Sequence, residues 1–203
     1  MYSTRSGLVL GFHGCDQEVA KAVLNHELIL NKSENKYDWL GPGVYFWENS
    51  PSRALEYAES LKKNPIRAKE KIKNPAVIGA VIDLGRCLDL LDYENLQVIR
   101  NAYDFLMQSL EKSNLPQNRF VGKSQELLLR ELDCAVITLA HDIQSEAGLE
   151  PFDSTRAMFS EGEELYPHAG FRRKNHIQLC ISNPNCIKGF FLPRKLDENF
   201  AKV

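Results

Sequence analysis

The sequence predicts a single α+β domain with a helical insertion. Short apolar runs rich in β-branched residues lie towards both ends of the chain, whereas residues from about 93 to 143 repeat their apolar positions at helical spacing. The chain has 203 residues, a length that fits one domain with a substantial core. Because neither an internal repeat nor a long linker divides it, we expect one domain over residues 1–203.

The first quarter of the chain predicts two strands, each followed by a helix. Residues 7–13 are an apolar run bounded by glycines, and Asp16 can cap the helix that follows. Residues 31–40 are polar and predict a loop. Gly41-Pro-Gly43 then forces a tight backbone before a β-branched and aromatic strand at 44–47. Ser50 and Pro51 predict the next helix start, with a hydroxyl cap and proline at the first helical position.

The remainder predicts a strand, two helices, a loop and a final strand pair. Residues 76–83 form the strongest strand signal of the sequence. Apolar residues recur at helical spacing over 93–110 and 124–143, and we expect both helices in an insertion beside the sheet. Residues 151–169 are rich in Gly, Pro and acids and predict a loop. Residues 176–181 and 186–191 predict two strands joined by a turn.

Charge, apolar runs and cysteine spacing argue against a polyanion-binding protein, a membrane-spanning protein and a zinc protein. With 25 basic and 27 acidic residues the formal charge is −2, which argues against a general polyanion binder. No apolar run approaches the roughly 18 residues of a bilayer span, so we expect no membrane partner. The five scattered cysteines favour buried thiols in a reducing cytoplasm. Cys180, Cys186 and His176 match no zinc spacing, and we expect no metal.

Three short segments place polar or aromatic side chains in otherwise apolar strands. Gly11-Phe-His13-Gly14 ends a strand with a histidine and a glycine whose backbone a ligand can approach. Gly41-Pro-Gly43-Val-Tyr45-Phe46 combines glycines with a tyrosine. His176-Ile-Gln178 puts two polar side chains on one strand face, where they need partners. Each segment alone is typical of ordinary structure, but the three together indicate a ligand site.

The order of these segments resembles the ADP-ribosyltransferase superfamily, in the branch of diphtheria toxin and the poly(ADP-ribose) polymerases. That branch has a histidine-glycine pair after its first strand, matched by Phe12-His13-Gly14, and a Gly-x-Gly-[IV]-Tyr-Phe strand followed by a helix, matched from Gly41 to Ala58. The likeness covers the two ends of the chain, about half of it. The combined pattern also looks like a group of small bacterial enzymes with this fold.

The resemblance implies split antiparallel β-sheets around an NAD cleft, with NAD as a substrate and no metal. It implies that His13 hydrogen-bonds a ribose hydroxyl of NAD and that the Gly14 backbone clamps the nicotinamide amide. Tyr45 would line the nicotinamide pocket, Tyr57 would supply a second stacking face, and Gly43 would let the backbone pass near the ligand.

The chain departs from the family at the third motif, where the family has a catalytic glutamate. The matching strand offers Gln178 or His176 and no carboxylate. Gln178 is nearly isosteric with glutamate and would keep the ribose hydrogen bond, but an amide cannot act as a general base. Gapless alignment instead puts His176 there. The preceding loop offers further carboxylates, at Glu161, Glu163 and Glu164. Its region also holds cations that could meet a pyrophosphate or an anionic acceptor, at Arg156, Arg172 and Arg173.

These observations leave several functions open. The first is a mono-ADP-ribosyltransferase that passes one ADP-ribose unit from NAD to a macromolecule or a small molecule. Hydrolysis of NAD, with water as the acceptor, is a variant of it. The second is a catalytically silent module that binds NAD or ADP-ribose. An RNA 2′-phosphotransferase shares the fold but needs an arginine-rich site near His13, which the sequence lacks. If the protein is a toxin, a neutralising partner is expected.

Overall fold

A computed structural model describes residues 7–64, 71–110, 114–120, 127–195 and 197–201. These residues form an α+β structure with a mostly antiparallel sheet and four helices. The strands are β1 (Val9–Asp16), β2 (Val44–Glu48), β3 (Pro75–Ile82), β4 (Cys87–Asp89), β5 (Asn118–Phe120), β6 (Leu127–Arg130), β7 (Ser154–Phe159), β8 (His176–Ile181) and β9 (Ile187–Phe191). The helices are α1 (Gln17–Leu24), α2 (Pro51–Lys63), α3 (Tyr93–Ser109) and α4 (Glu131–Glu146).

Local sequence explains where the first two helices begin. The Asp16 carboxylate accepts a hydrogen bond from the backbone N–H of Glu18 at 3.0 Å, so it caps α1 as expected. Pro51 opens α2, where its missing N–H costs nothing. The prediction that the Ser50 hydroxyl caps α2 is wrong, because that side chain makes no capping bond.

Seven strands form one hydrogen-bonded sheet in the order β4-β7-β8-β2-β1-β3-β9, and β5 and β6 form a separate hairpin. Neighbouring strands run antiparallel except for the parallel pair β4 and β7. The ladder between β1 and β2, at the centre of the sheet, is unusually short. β1 pairs with β3 over eight residues but with β2 only at Gly11–Glu48 and Phe12–Trp47. Beyond Phe12, β1 therefore separates from β2 and a gap opens between them.

The two faces of the sheet carry different cores. On one face, the buried Ala20 and Val23 of α1 pack with strand residues such as Phe46 and Ile78. On the other face, Ala54 of α2 packs with residues of β1 and β2, and Ile137 of α4 packs with residues of β4, β7 and β8. α3 packs against α4. Within the described ranges, none of the helices has the length and apolar character that a bilayer crossing requires.

The helical middle differs in part from expectation. The helix predicted over 93–110 is confirmed as α3. The helix predicted over 124–143 is wrong at its start. Residues 124–126 lie outside the described residues, 127–130 form β6, and the helix runs from Glu131 to Glu146. A short apolar run does not distinguish a strand from a buried helical turn, and pairing with β5 makes this one a strand.

The predicted loop over 151–169 is also wrong, because residues 154–159 form β7 inside the sheet. The sequence does not predict this strand because it contains Arg156, and a charged residue is rarely buried in a central strand. It is buried here because its guanidinium binds two carboxylates, Glu48 at 2.6 Å and Asp89 at 3.1 Å. Arg156 is therefore committed to these ion pairs rather than presented to a pyrophosphate.

Candidate functional site

His13 lies where β1 leaves β2. Its Nδ1 is 2.8 Å from the backbone carbonyl oxygen of Tyr45. Because that oxygen can only accept, Nδ1–H donates and Nε2 carries the lone pair of the neutral ring. Burial lowers the pKa of His13, which favours the neutral form. One hydrogen bond thus bridges the gap between the strands and fixes both the orientation and the tautomer of the ring.

The backbone of Gly14 faces the same gap. The Leu10 carbonyl accepts a hydrogen bond from the N–H of Asn49 on the β2 side, and backbone groups alternate along an antiparallel strand. The N–H and C=O of Gly14, four residues further on, therefore also point to the β2 side, beyond the last pair with β2. The Gly14 Cα packs against α2. The contact is so close that an added Cβ would lie 3.0 Å from the Ala54 carbonyl carbon.

Tyr45 and Gly43 are engaged with neighbouring segments. The Tyr45 hydroxyl accepts from the Leu40 N–H at 2.9 Å and donates to the Gly41 carbonyl at 2.7 Å, and burial raises the pKa of the phenol. These two hydrogen bonds of the hydroxyl therefore hold the loop before β2 in place. A Cβ on Gly43 would lie 2.5 Å from Cys180 Sγ, so this glycine is needed for close packing on β8.

A polar and aromatic cluster surrounds Trp47 on the face that α2 covers. The Trp47 ring lies 4.9 Å from the Tyr57 ring and 6.3 Å from the His176 ring, measured between centroids. Arg53, one helical turn before Tyr57, forms an ion pair of 2.6 Å with Glu161 from the loop before β8. We call Trp47, Arg53, Tyr57, Glu161 and His176 the Trp47 cluster. It joins the predicted residues Tyr57 and His176.

Three buried polar atoms of this cluster have no hydrogen-bond partner within the described part of the chain: Trp47 Nε1, Arg53 Nε and His176 Nε2. Trp47 is 4% exposed and His176 is 8% exposed. Buried polar atoms without a partner are rare in proteins, and an absent ligand or water is one of their physical causes. Their concentration in one cluster makes it the strongest structural sign of a binding site.

His176 is held in one tautomer. Its Nδ1 lies 2.7 Å from the Lys174 carbonyl oxygen, so Nδ1–H donates and Nε2 is left with a lone pair. Burial lowers the pKa of His176 and the Arg53 charge adds to this, whereas the Lys174 carbonyl, Glu161 and Glu56 act in the opposite direction. The result is a neutral imidazole whose basic nitrogen points into the protein.

Gln178 shares its face of the sheet with the Trp47 cluster. It pairs directly with Trp47 on β2 and with Ala157 on β7, and paired residues share a face. Gln178 is half-buried, and its side chain makes no hydrogen bond in the ranges that the structure describes. His13 follows Phe12, the residue that pairs with Trp47, so the His13 side chain projects to the other face of the sheet. There its ring lies 5.8 Å from the Phe46 ring, measured between centroids. His13 and Gln178 therefore project to opposite faces and meet only across the gap.

The structure distinguishes among the loop carboxylates. The Glu161 side chain is 14% exposed and bound to Arg53, whereas that of Glu163 is 88% exposed. Glu164 is exposed and accepts from the His168 backbone. Of the loop cations, Arg172 donates to the Gly162 carbonyl at 2.9 Å and Arg173 is mainly solvated. Only Glu161 among the three carboxylates joins the candidate site.

Sequence reasoning missed Trp47 and Arg53. Trp47 ends the aromatic strand run, and its two-residue spacing from Tyr45 places both on one face. Arg53 lies four residues before Tyr57 on α2, at the spacing that puts two side chains on one helix face. These spacings could have identified both residues. Within the described ranges, no group of three His, Cys, Asp or Glu residues is arranged to hold a metal.

A separate apolar pocket of about 540 Å³ lies between α3, α4 and β7. Leucine and isoleucine side chains of both helices line it, together with Tyr103 and Met158. Its two cations are paired with acids, Arg100 with Asp104 and Arg130 with Asp133. No predicted site residue lines this pocket.

Comparison with known proteins gives one distant likeness. No family model and no solved structure matches the chain. The chain is similar to the protein of Methanocaldococcus jannaschii named Uncharacterized protein MJ0359, with 26% identity over 196 residues. The match covers 87% of this chain and 83% of the archaeal protein.

Proposed function

We propose that the protein is an NAD-dependent mono-ADP-ribosyltransferase that breaks the nicotinamide–ribose bond and transfers ADP-ribose to an acceptor. The observation that carries this proposal is the gap between β1 and β2, bridged by the bond from His13 Nδ1 to the Tyr45 carbonyl. This bond leaves Nε2 to accept from a ribose hydroxyl of NAD. A neutral imidazole is the form that this role requires.

In this proposal, NAD binds at the gap between β1 and β2. It would meet the backbone of Gly14 at the strand edge, where an N–H and a C=O can hold the nicotinamide amide. On the α2 face, the rings of Trp47 and Tyr57 offer flat surfaces for an uncharged aromatic leaving group. Fixing the ribose and the nicotinamide separately would favour strain at the bond between them.

The third catalytic position has two candidates on the same face. Gln178 lies beside Trp47 and can hydrogen-bond the nicotinamide ribose, as its near-isosteric glutamate would. His176 supplies the basic nitrogen that an amide lacks.

The five free cysteines support a reducing, cytoplasmic setting for the protein.

The test measures nicotinamide release from NAD by the purified protein, with His13→Asn beside the matched control His26→Asn. His26 is exposed and adopts a positive φ of 60°, which asparagine tolerates, so the control changes a histidine without strain. We expect His13→Asn to lower the release rate about 100-fold, because a misplaced ribose loses alignment with the leaving group. Equal rates in the two variants would contradict the proposed role of the gap.

A second candidate is a silent module that binds NAD or ADP-ribose. It is favoured by the absence of any carboxylate side chain on β8, which presents Gln178 beside Trp47. Calorimetric titration of the same samples with NAD and with ADP-ribose separates the candidates. Binding that His13→Asn weakens, with no nicotinamide released, would support the silent module. Release with free ADP-ribose as the main product would support a glycohydrolase.

A further inference from the structure

The strand β7 is longer than the neighbour that covers it on one side. β4 pairs with β7 only as far as Arg156, and the last bond between them runs from the Leu90 N–H to the Arg156 carbonyl at 2.8 Å. The chain then leaves the sheet and enters α3. Within the described ranges, residues 157–159 of β7 therefore have no neighbouring strand on the β4 side.

The backbone of Met158 points towards this uncovered side. Backbone groups alternate along a strand, so Met158 faces the same way as Arg156, whose carbonyl accepts from the β4 side. In the part of the chain that the structure describes, neither the N–H nor the C=O of Met158 has a hydrogen-bond partner. The residue is 55% exposed. An unpaired strand edge of this kind is a template for a further extended chain.

The apolar pocket between α3, α4 and β7 borders the same stretch of strand. Ala157, Met158 and Phe159 all line it, and so do Leu90 and Leu91 at the point where the chain leaves β4. The pocket therefore lies beside the path that a continuation of β4 would follow. An extended chain on this path directs every second side chain to one face of the sheet.

The lining of the pocket favours a large apolar side chain. Its volume of about 540 Å³ is within the range of about 300–1,000 Å³ that is typical of ligand pockets. Several of its apolar side chains are open to solvent, with Leu91 52% and Leu96 44% exposed. Exposed apolar residues that adjoin one another mark interaction surfaces.

Arg130 adds a positive charge to this pocket. Its guanidinium carbon lies 4.5 Å from the centroid of the Trp39 ring and 5.1 Å from that of Phe159, so two aromatic rings hold the group in place. Its Nε donates to the Leu127 carbonyl at 3.2 Å, and its acid partner Asp133 lies 3.6 Å away, which is longer than a hydrogen bond. The terminal N–H groups of Arg130 can therefore bind a further carboxylate.

We propose that this edge and pocket bind an extended segment of a partner protein, which adds a strand to β7 at Met158. A large apolar side chain of the segment fills the pocket. An acidic side chain two residues away, on the same face of the segment, binds Arg130. The uncovered backbone of Met158 favours an extended chain over a compact ligand, because only an extended chain both pairs with a strand and fills a pocket beside it. This binding does not depend on the enzymatic activity proposed above.

The probes are capped peptides of sequence Thr-Glu-Val-X-Val-Glu-Thr, with Leu, Phe or Ala at X. An acid on each side of X makes the test independent of strand direction. Calorimetric titration of the purified protein should show the Leu or Phe peptide binding at least about tenfold more tightly than the Ala peptide, because the pocket buries the larger side chain. Replacing both glutamates of the peptide by glutamine should weaken binding about threefold or more.

A protein variant with a matched control locates the binding site. Leu96→Glu places a carboxylate in the pocket and should weaken binding of the Leu peptide at least about tenfold. Leu55→Glu changes a similarly exposed leucine of α2 that does not line the pocket, and binding should stay within about twofold of wild type. Equal affinities of the two variants for the Leu peptide would overturn the assignment of the pocket.

Backbone pairing has its own measurement. Hydrogen exchange of the Met158 amide, followed by NMR, should slow at least about tenfold when the peptide saturates the protein, because its N–H becomes bonded. N-methylation at two adjacent peptide positions should have unequal effects, since only one of the two N–H groups faces β7. An unchanged exchange rate, or equal effects of the two methyl groups, would overturn strand addition.

The same samples test the other occupants. Affinities weaker than about 1 mM for all peptides of the panel would overturn the proposal. A dimer in sedimentation with a protected Met158 amide would assign the edge to a second copy of this chain. Binding of decanoate in the pocket without binding of any peptide would assign the pocket to a small apolar ligand. Each of these two results would also contradict the proposal.

Discussion

Replacing Gly14 by alanine tests how tightly α2 is seated on the strand that ends in the gap. An added Cβ would lie 3.0 Å from the Ala54 carbonyl carbon and 3.3 Å from Ala58 Cβ, and closer still to the Ala54 oxygen. Favourable carbon contacts lie at 3.5–4.0 Å. The nearest obstacle is helix backbone rather than a flexible side chain, so α2 itself must move. Overpacking costs about 1–3 kcal/mol, and we expect the upper end here.

The assay is urea unfolding of Gly14→Ala beside Gly189→Ala. Gly189 lies in β9 with no atom within 4 Å of an added Cβ, so it controls for the change in backbone entropy. A loss of about 3 kcal/mol corresponds to a melting temperature lowered by roughly 6–12 °C in a domain of this size. Unfolding free energies of the two variants within about 0.5 kcal/mol of each other would refute the packing argument. Because α2 carries Arg53 and Tyr57, we also expect weaker NAD binding in Gly14→Ala.

Two further substitutions test the supports of the site by the same unfolding assay. Tyr45→Phe leaves a buried N–H and C=O of the preceding loop without their partner, and we expect a loss of about 1–3 kcal/mol; Tyr93→Phe, at a residue 76% exposed, should cost almost nothing. Arg156→Met removes the guanidinium from two carboxylates, one of them deeply buried, and we expect a loss of about 3–5 kcal/mol. The exposed Arg100→Met should stay within about 0.5 kcal/mol of wild type, and equal losses at the two arginines would contradict the buried ion-pair argument.

Elements with one clear periodicity could be predicted from the sequence, and those defined by long-range pairing could not. The strand β3 and the helix α3 appear within one or two residues of their expected bounds, because each buries a regular apolar pattern. The sequence predicts a loop where β7 lies, because Arg156 interrupts the apolar pattern of the strand. The carboxylates that make its burial tolerable are 108 and 67 residues away in sequence. No local window contains that information.

The pairing of the central strands is also beyond local reasoning. No sequence signal specifies that the ladder between β1 and β2 stops after two residue pairs. At that point α2 packs closely on one face of β1 at Gly14, and β1 continues to pair with β3 as far as Asp16. Glycine at this position is therefore a packing requirement.

Gln178 and His176 show what residue spacing along one strand can and cannot decide. Gln178 and His176 share a strand face, so spacing alone cannot rank them. Their side-chain hydrogen bonds distinguish them. The Gln178 side chain has no hydrogen-bond partner in the described residues, whereas Nδ1–H of His176 donates to the Lys174 carbonyl and its Nε2 is buried. A group that must bind a hydroxyl needs hydrogen-bonding capacity, and a group that must remove a proton needs a fixed lone pair. Under the proposed function, Gln178 would meet the first requirement and His176 the second.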